Sequence, residues 1–103
     1  MESGYKRITV IISHGHANDV MAIARKAGAK GGTILNARGT GTDEDIKSSG
    51  ISLFPEKEML FIIAKNDKVD AIIDAIGATL YLRESGGGII FTTNVEQFIT
   101  LGK

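Results

Sequence analysis

The sequence predicts an α+β domain in which a four-stranded antiparallel sheet carries two helices on one face. One observation is the order of strand-like and helix-like segments, βαββαβ. Another is that the two halves are alike, with VIIS before NDVMAIA in the first and FIIA before NDKVDAII in the second. A doubled βαβ unit closes most simply as such a sheet. At 103 residues, the whole chain, 1–103, is expected to form one domain.

The first βαβ unit begins with RITVIIS, a short β-branched run from Arg7 to Ser13 that predicts a strand. Asn18 or Asp19 is placed to cap the helix that follows, and Gly28 is placed to end it. The segment TILNAR, from Thr33 to Arg38, predicts the second strand. Apolar residues recur at helical spacing between these strands, at Val20, Ile23, Ala24 and Ala27.

The stretch that joins the two units, from about residue 39 to 51, is rich in glycine and polar residues and has almost no apolar anchor. Such a stretch is typical of a mobile loop. Loops of this length within a compact domain usually serve a function or are disordered. We therefore expect a flexible loop here.

The second unit contains the most hydrophobic run of the chain, MLFIIA from Met59 to Ala64, which predicts a central strand. Asn66 or Asp67 is placed to cap the second helix. GIIFTT, from Gly88 to Thr93, predicts the fourth strand, and Val95 to Leu101 are expected to add a short turn and an edge strand. The apolar positions of the second helix are Val69, Ile72, Ile73, Ile76 and Leu80.

The predicted sheet, a ferredoxin-like arrangement, would be apolar on both faces. Val10 to Ile12 and Leu60 to Ile63 are apolar at consecutive positions, and consecutive strand residues point to opposite faces. Because the two helices cover only one face, something else must cover the other. The sequence therefore predicts a symmetric self-association.

The amino-acid composition excludes several classes of partner and of functional site. Lysine plus arginine equals aspartate plus glutamate, at twelve each, which argues against nucleic-acid or membrane-surface partners. No cysteine is present, so thiolate nucleophiles and cysteine-based metal sites are excluded. No apolar run approaches the roughly 20 residues that cross a bilayer, and MESGYKR lacks the apolar core of a signal peptide. A cytoplasmic protein without membrane insertion is expected.

Two glycine clusters are the strongest local signals, GGTILNARGTG at 31–41 and SGGGIIF at 85–91. Glycine-flanked strand ends leave backbone N–H groups free to face an anion. Arg38 adds a guanidinium group, which can donate two parallel hydrogen bonds to a phosphate. The alternative is that Gly39 and Gly41 only supply the positive φ of a turn. For the three glycines at 86–88, a plain turn does not demand such a run.

Catalytic and metal signals are weak. Neither Ser-x-x-Lys nor Gly-x-Ser-x-Gly occurs, and no nucleophile stands beside a base in a recognisable context, so we expect no enzymatic activity. His14 and His16 lie two residues apart in a predicted turn, but no third donor is adjacent. The sequence therefore predicts no metal site.

Three stretches, GGTILNARGTG at 31–41, FP at 54–55 and SGGGIIFT at 85–92, follow one another in a recognisable order. In that order they resemble the PII signal-transduction family (nitrogen regulatory protein P-II), and the chain looks like a divergent, PII-like member. The resemblance implies a homotrimer that binds an adenine nucleotide, ATP, ADP or AMP, between neighbouring subunits. It also implies that the T-loop-like segment, about residues 39–51, regulates a target protein such as a membrane transporter or a nitrogen-metabolism enzyme.

Carried over residue by residue, the resemblance assigns two groups of positions. The implied nucleotide or anion contacts are Thr33, Arg38, Gly39, Gly41, Gly86, Gly87 and Gly88. The implied target contacts are Thr42, Asp43, Ser48 and Ser49.

The chain also departs from the family pattern at the positions of its phosphate-gripping lysine and arginines. Here these are Ile89, Thr100 and Gly102, which predicts weak or altered nucleotide binding. The alternative to a PII-like regulator is a trimeric ferredoxin-like protein of the divalent-ion-tolerance kind, in which the loops serve structure or metal binding.

Overall fold

The computed structural model describes residues 3–40, 56–79 and 88–102. Its elements follow the predicted order βαββαβ. They are β1 (Tyr5–Ser13), α1 (Ala17–Lys26), β2 (Thr33–Arg38), β3 (Glu56–Lys65), α2 (Asn66–Gly77) and β4 (Gly88–Val95). The four strands form an antiparallel sheet in the order β2-β3-β1-β4, which confirms the predicted fold and the central place of MLFIIA.

The hydrophobic core lies between one face of the sheet and the two helices. It takes alternate residues of the central strands, such as Ile8, Val10 and Ile12 of β1, because a strand points every second side chain to the same face. Of the predicted helical positions, Val20, Ala24, Val69, Ile72 and Ile76 are buried. Ile23, Ala27 and Ile73 pack against the core from its margin, and Leu80 lies outside the described residues.

The predicted helix caps are wrong. Helix α1 begins at Ala17, so Asn18 and Asp19 lie in its first turn rather than before it. Helix α2 begins at Asn66, directly after the last residue of β3, and Lys65 holds the cap position without a side-chain hydrogen bond. Because β3 runs straight into the helix, the cap position falls on the last strand residue, whose side chain forms no capping bond.

The ends of the helices and strands agree only in part with the sequence-based prediction. Helix α1 ends as predicted, since Gly28 follows it with a φ of +121°. Strands β1, β3 and β4 are longer than predicted, because edge polar residues join the ladder through their backbone groups. The edge strand expected within Val95 to Leu101 does not form, since β4 takes Val95 and residues 96–102 contain no strand.

The opposite side of the sheet, here called the open face, is also apolar. Strand register places Leu35 beside Met59, Met59 beside Ile11 and Ile11 beside Ile89, and paired residues share a face. Its members are Thr33, Leu35 and Ala37 of β2, Met59, Phe61 and Ile63 of β3, Arg7, Thr9 and Ile11 of β1, and Ile89, Phe91 and Thr93 of β4.

Large apolar side chains of the open face remain exposed on both edge strands. Leu35 is 45% exposed, Ile89 57% and Phe91 43%. The cation of Arg7 lies over the ring of Phe61, 5.2 Å from its centroid, and covers part of the face. Neither helix of the described chain is long and apolar enough to span a membrane.

Candidate functional site

A polar cavity lies at the end of the sheet where β2 stops and β3 begins. We call it the Arg38 cavity; it has a volume of about 420 Å³ and is lined by His14, Asn36, Ala37, Arg38, Glu56 and Lys57. Arg38 is the last residue of β2 and pairs with Glu56, the first residue of β3. The predicted anion-binding cation therefore stands at the base of the T-loop-like segment, beside a second cation, Lys57.

Glu58 fixes the turn beside this cavity. Its Oε1 atom accepts hydrogen bonds from the backbone N–H groups of Gly15, at 2.7 Å, and Ala17, at 3.0 Å. These bonds hold the pKa of Glu58 below its ordinary value of 4.5, chiefly through the bond from Ala17. The carboxylate thus caps α1 from a neighbouring strand, a role that the sequence did not reveal because caps are usually sought just before the helix.

Gly39, directly after Arg38, does not have a positive φ, so its interpretation as a left-handed turn residue is wrong. A Cβ atom built on Gly39 would lie 3.3 Å from Cγ of Lys57, a side chain that can shift by a few tenths of an ångström. Neither a positive φ nor close packing against the backbone therefore requires glycine at this position.

Gly88 has a structural explanation. It is the first residue of β4, with a φ of +155°, and a Cβ atom there would lie 2.7 Å from the carbonyl oxygen of Ile11 and 2.8 Å from Cγ2 of Ile12. The close contact between β4 and β1 thus requires glycine whether or not a ligand binds.

The described parts of the two predicted anion-binding clusters, Arg38 with Gly39 and Gly88, lie apart within one chain. Arg38 lies on edge strand β2 and Gly88 on edge strand β4, with β3 and β1 between them. Three strand spacings separate the two edges by about 14 Å. Register shows that both clusters stand at the same end of the sheet, since Arg38 pairs with Glu56, Lys57 with Ser13 and Ile12 with Gly88.

Thr33 lies elsewhere, at the start of β2, and lines a second cavity of about 790 Å³. We call it the lysine cavity because Lys30, Lys65 and Lys68 contribute to its wall. Sequence reasoning missed these lysines, because Lys30 is distant in the chain from the other two and the three belong to no recognisable motif. The fold brings them together from the loop before β2, the end of β3 and the first turn of α2.

Three positions carry other residues where the family pattern has phosphate-binding lysine and arginines. The first, Ile89, is 57% exposed on the open face. Thr100 lines the lysine cavity, and Gly102 has a φ of +82°. None of the three carries a cation. Gly41, Thr42, Asp43, Ser48, Ser49, Gly86 and Gly87 lie outside the described residues. Within residues 3–40, 56–79 and 88–102, no three histidine or acidic side chains cluster in a way that could hold a metal ion.

The order and pairing of its elements define the class of this chain as a ferredoxin-like α+β domain. It belongs to the nitrogen regulatory protein P-II family, whose family model matches residues 5–102. Members of that family are trimeric signalling proteins that interact with target proteins.

Three known proteins illustrate the likeness. The chain is 34% identical over 101 residues to a nitrogen regulatory protein P-II from Porphyra purpurea, covering 93% of this chain and 90% of that protein. It is similar to Arabidopsis thaliana PII bound to citrate, with a TM-score of 0.75, 25% identity, and coverage of 97% and 82%. A PII-like protein from Thiomonas intermedia K12, bound to ADP, AMP and bicarbonate, has a TM-score of 0.69 at 16% identity, with coverage of 94% and 96%.

Proposed function

We propose that this chain is a non-enzymatic regulatory subunit that binds an adenine nucleotide between neighbouring copies of a homotrimer. In this proposal one subunit supplies Thr33, Arg38, Gly39 and Gly41, and its neighbour supplies the glycines at 86–88. Nucleotide binding then alters the T-loop-like segment, where Thr42, Asp43, Ser48 and Ser49 contact a target protein such as a membrane transporter or a nitrogen-metabolism enzyme.

The observation that carries the proposal is the placement of Arg38 and Gly88 at the same end of the sheet but on its opposite edges. One chain cannot close the two clusters on a single ligand, because β3 and β1 lie between them. A neighbouring copy whose β4 edge meets the β2 edge of the first would complete the site. The apolar open face supports such an assembly, since it needs a cover.

The solved relatives support an anionic ligand. The protein from Thiomonas intermedia K12 binds ADP, AMP and bicarbonate, and the Arabidopsis thaliana PII binds citrate. In this chain the described cations that line the cavity at the end of β2, where the glycines follow, are Arg38 and Lys57. With Ile89, Thr100 and Gly102 in place of phosphate-gripping cations, we expect Arg38 to carry most of the remaining charge-assisted binding.

Calorimetric titration with ATP, ADP and AMP tests the nucleotide part. The Arg38→Gln variant should bind ADP about tenfold more weakly, because hydrogen bonds to charged groups contribute about 1.5–3 kcal/mol. Arg25→Gln, which changes an exposed arginine at the end of α1, is the matched control and should bind as the unaltered protein does. Absence of saturable binding up to millimolar nucleotide would refute this part.

Amide hydrogen exchange tests the loop part of the proposal. Residues 39–51 should exchange at a different rate with saturating ADP than without it, because a ligand shifts a loop only through contacts that differ between its states. The amides of the β1–β3 ladder serve as the internal reference. Equal exchange of the segment in both conditions would contradict regulation through this loop.

A further inference from the structure

Two polar groups are buried without a partner near the middle of the open face. Thr9 is fully buried, and its Oγ1 atom has no hydrogen-bond partner among the described residues. The Nε atom of Arg7, two residues earlier on the central strand β1, is also buried and unpartnered there. Residues two apart on a strand share a face. Because buried polar groups are nearly always hydrogen-bonded, these two point to a partner from outside the single chain.

The surroundings of these two groups are aromatic. Thr9 pairs with Phe61 on β3 and with Phe91 on β4, so a phenyl side chain lies on each side of its hydroxyl. The guanidinium of Arg7 lies over the Phe61 ring, 5.2 Å from its centroid. The ring attracts the cation, but it carries neither a negative charge nor an oxygen that could accept the Nε–H bond.

The open face has cations but no carboxylate. Strand register adds Lys57 and Lys65 near its two ends, and none of the described strand residues on this face is an aspartate or a glutamate. Copies that meet through this face therefore bring further cations to Arg7 and no opposite charge from their strands. Removing an unpaired guanidinium from water is strongly unfavourable, so the assembly needs an anion at this place.

We propose that a small oxyanion, of the phosphate or sulfate class, binds between the subunits on the guanidinium of Arg7 and the hydroxyl of Thr9. A guanidinium donates two parallel hydrogen bonds to such an anion, and a threonine hydroxyl donates a third. The anion supplies the negative charge that the open face lacks and thereby stabilises the assembly. Neither residue lines the Arg38 cavity. The inference rests on the self-association in the proposed function but not on nucleotide binding.

Sedimentation velocity over a dilution series tests the anion site, in sodium sulfate and in sodium chloride at equal ionic strength. Sulfate is the probe because its charge is constant near neutral pH. We expect the trimer to dissociate at an approximately tenfold lower protein concentration in sulfate than in chloride, since hydrogen bonds to charged groups are the strong class.

The Arg7→Met variant separates the site from the general effect of sulfate, which strengthens any apolar association. Methionine keeps an unbranched stem and removes the charge. The variant should form a trimer in either salt, because replacing a buried ion by an apolar side chain is often neutral or stabilising. It should show only the general sulfate effect, about tenfold smaller than that of the unaltered protein.

Two further variants on β1 act as matched tests. Lys6→Met removes the adjacent cation, which pairs with the buried Ala64 on the helix-covered face, and should keep the full sulfate effect. Thr9→Val keeps the shape of the side chain without its hydroxyl and should lose about fivefold of that effect. Circular dichroism confirms that each variant retains its fold.

The outcomes distinguish this inference from the proposed assembly. A monomer in both salts would refute the assembly and the anion site together. A trimer with equal dissociation in the two salts would refute the anion site alone. An equal loss of the sulfate effect in Lys6→Met would show that strand charge in general, rather than Arg7, is responsible. A sulfate-insensitive trimer that is lost in Arg7→Met would assign the acceptor to the neighbouring chain and overturn the inference.

Discussion

The carboxylate of Glu58, on β3, accepts a 2.7 Å hydrogen bond from the backbone N–H of Gly15, in the turn between β1 and α1. A second bond, from Ala17, ties the first residue of the helix to the same oxygen. The turn that contains His14 is thereby fixed to the strand that forms the floor of the Arg38 cavity. One strand side chain thus links the start of α1 to the candidate site.

Replacing Glu58 should destabilise the protein. Glu58→Ala leaves the N–H groups of Gly15 and Ala17 without this acceptor and is expected to cost about 0.5–2 kcal/mol in the free energy of unfolding. Urea denaturation followed by circular dichroism measures it. Glu56→Gln changes an exposed carboxylate of the same strand and should change stability by less than about 0.5 kcal/mol. Equal effects of both variants would rule out the capping role.

The contribution of Glu58 should depend on pH in a defined direction. Its pKa is lowered in the folded protein, so the carboxylate stabilises the fold above the ordinary value of 4.5. That stabilisation is lost as the pH falls through the lowered pKa. The difference in unfolding free energy between the protein and Glu58→Gln should therefore be largest above about pH 5.5 and shrink toward pH 3. A difference that stayed constant over that range would contradict the assignment.

The glycine pair before β2 offers a matched test of backbone packing. A Cβ atom on Gly32 would lie 2.7 Å from the carbonyl oxygen of Phe61, a backbone atom that cannot easily move, whereas one on Gly31 would meet nothing within 4 Å. Gly32→Ala should cost about 1–3 kcal/mol. Gly31→Ala, with no positive φ to lose, should be neutral or stabilise by up to about 1 kcal/mol. Thermal unfolding of both distinguishes the two positions, and similar values would show the packing argument to be wrong.

Much of the fold could be predicted because its signals are local. The continuous apolar run MLFIIA predicts a central strand, the helical spacing of Val20, Ile23 and Ala24 predicts a helix, and the repeat of the two halves predicts their arrangement. The helix caps could not be predicted in this way. The acceptor for the start of α1 is Glu58, which is 41 residues from Ala17 in the chain.

The candidate site was predictable only in part, for the same reason. Arg38 and Gly39 stand at a strand end that the sequence marks with glycines, and Arg38 lies in the wall of a cavity there. Lys30, Lys65 and Lys68 line one cavity although they come from the loop before β2, the end of β3 and helix α2, a grouping that only the three-dimensional fold creates. Gly88 resembles a ligand-binding glycine in sequence, yet contact with β1 alone accounts for it.

Gly39 and Gly88 should therefore respond differently to alanine. Gly39→Ala should keep its stability within about 1 kcal/mol, since only the side chain of Lys57 must shift, but it should weaken ADP binding about tenfold by keeping phosphate from the backbone. Gly88→Ala should lower stability by about 1–3 kcal/mol, because its Cβ atom meets the carbonyl oxygen of Ile11. Calorimetry and thermal unfolding on both variants provide the two measurements. Unchanged ADP affinity in Gly39→Ala would remove this glycine from the proposed site.

A charge on the open face should disrupt self-association. Phe91 lies on edge strand β4, pairs with Thr9 and is 43% exposed in the single chain. If a second copy covers this face, Phe91→Lys must bury an ammonium group without a partner, which costs several kcal/mol. Sedimentation velocity at micromolar concentration should then show a trimer for the unaltered protein and a smaller species for the variant.

Ala22→Lys, on the exposed side of α1, is the control for added charge and should leave the trimer intact. Helix α1 lies on the opposite side of the sheet from the open face. A lysine on its exposed surface therefore stays in water and costs little free energy. Circular dichroism on both variants confirms that the sheet and helices are retained. A Phe91→Lys trimer as stable as that of the unaltered protein would place the subunit interface elsewhere, and the cleft between Arg38 of one copy and Gly88 of the next would have to be abandoned with it.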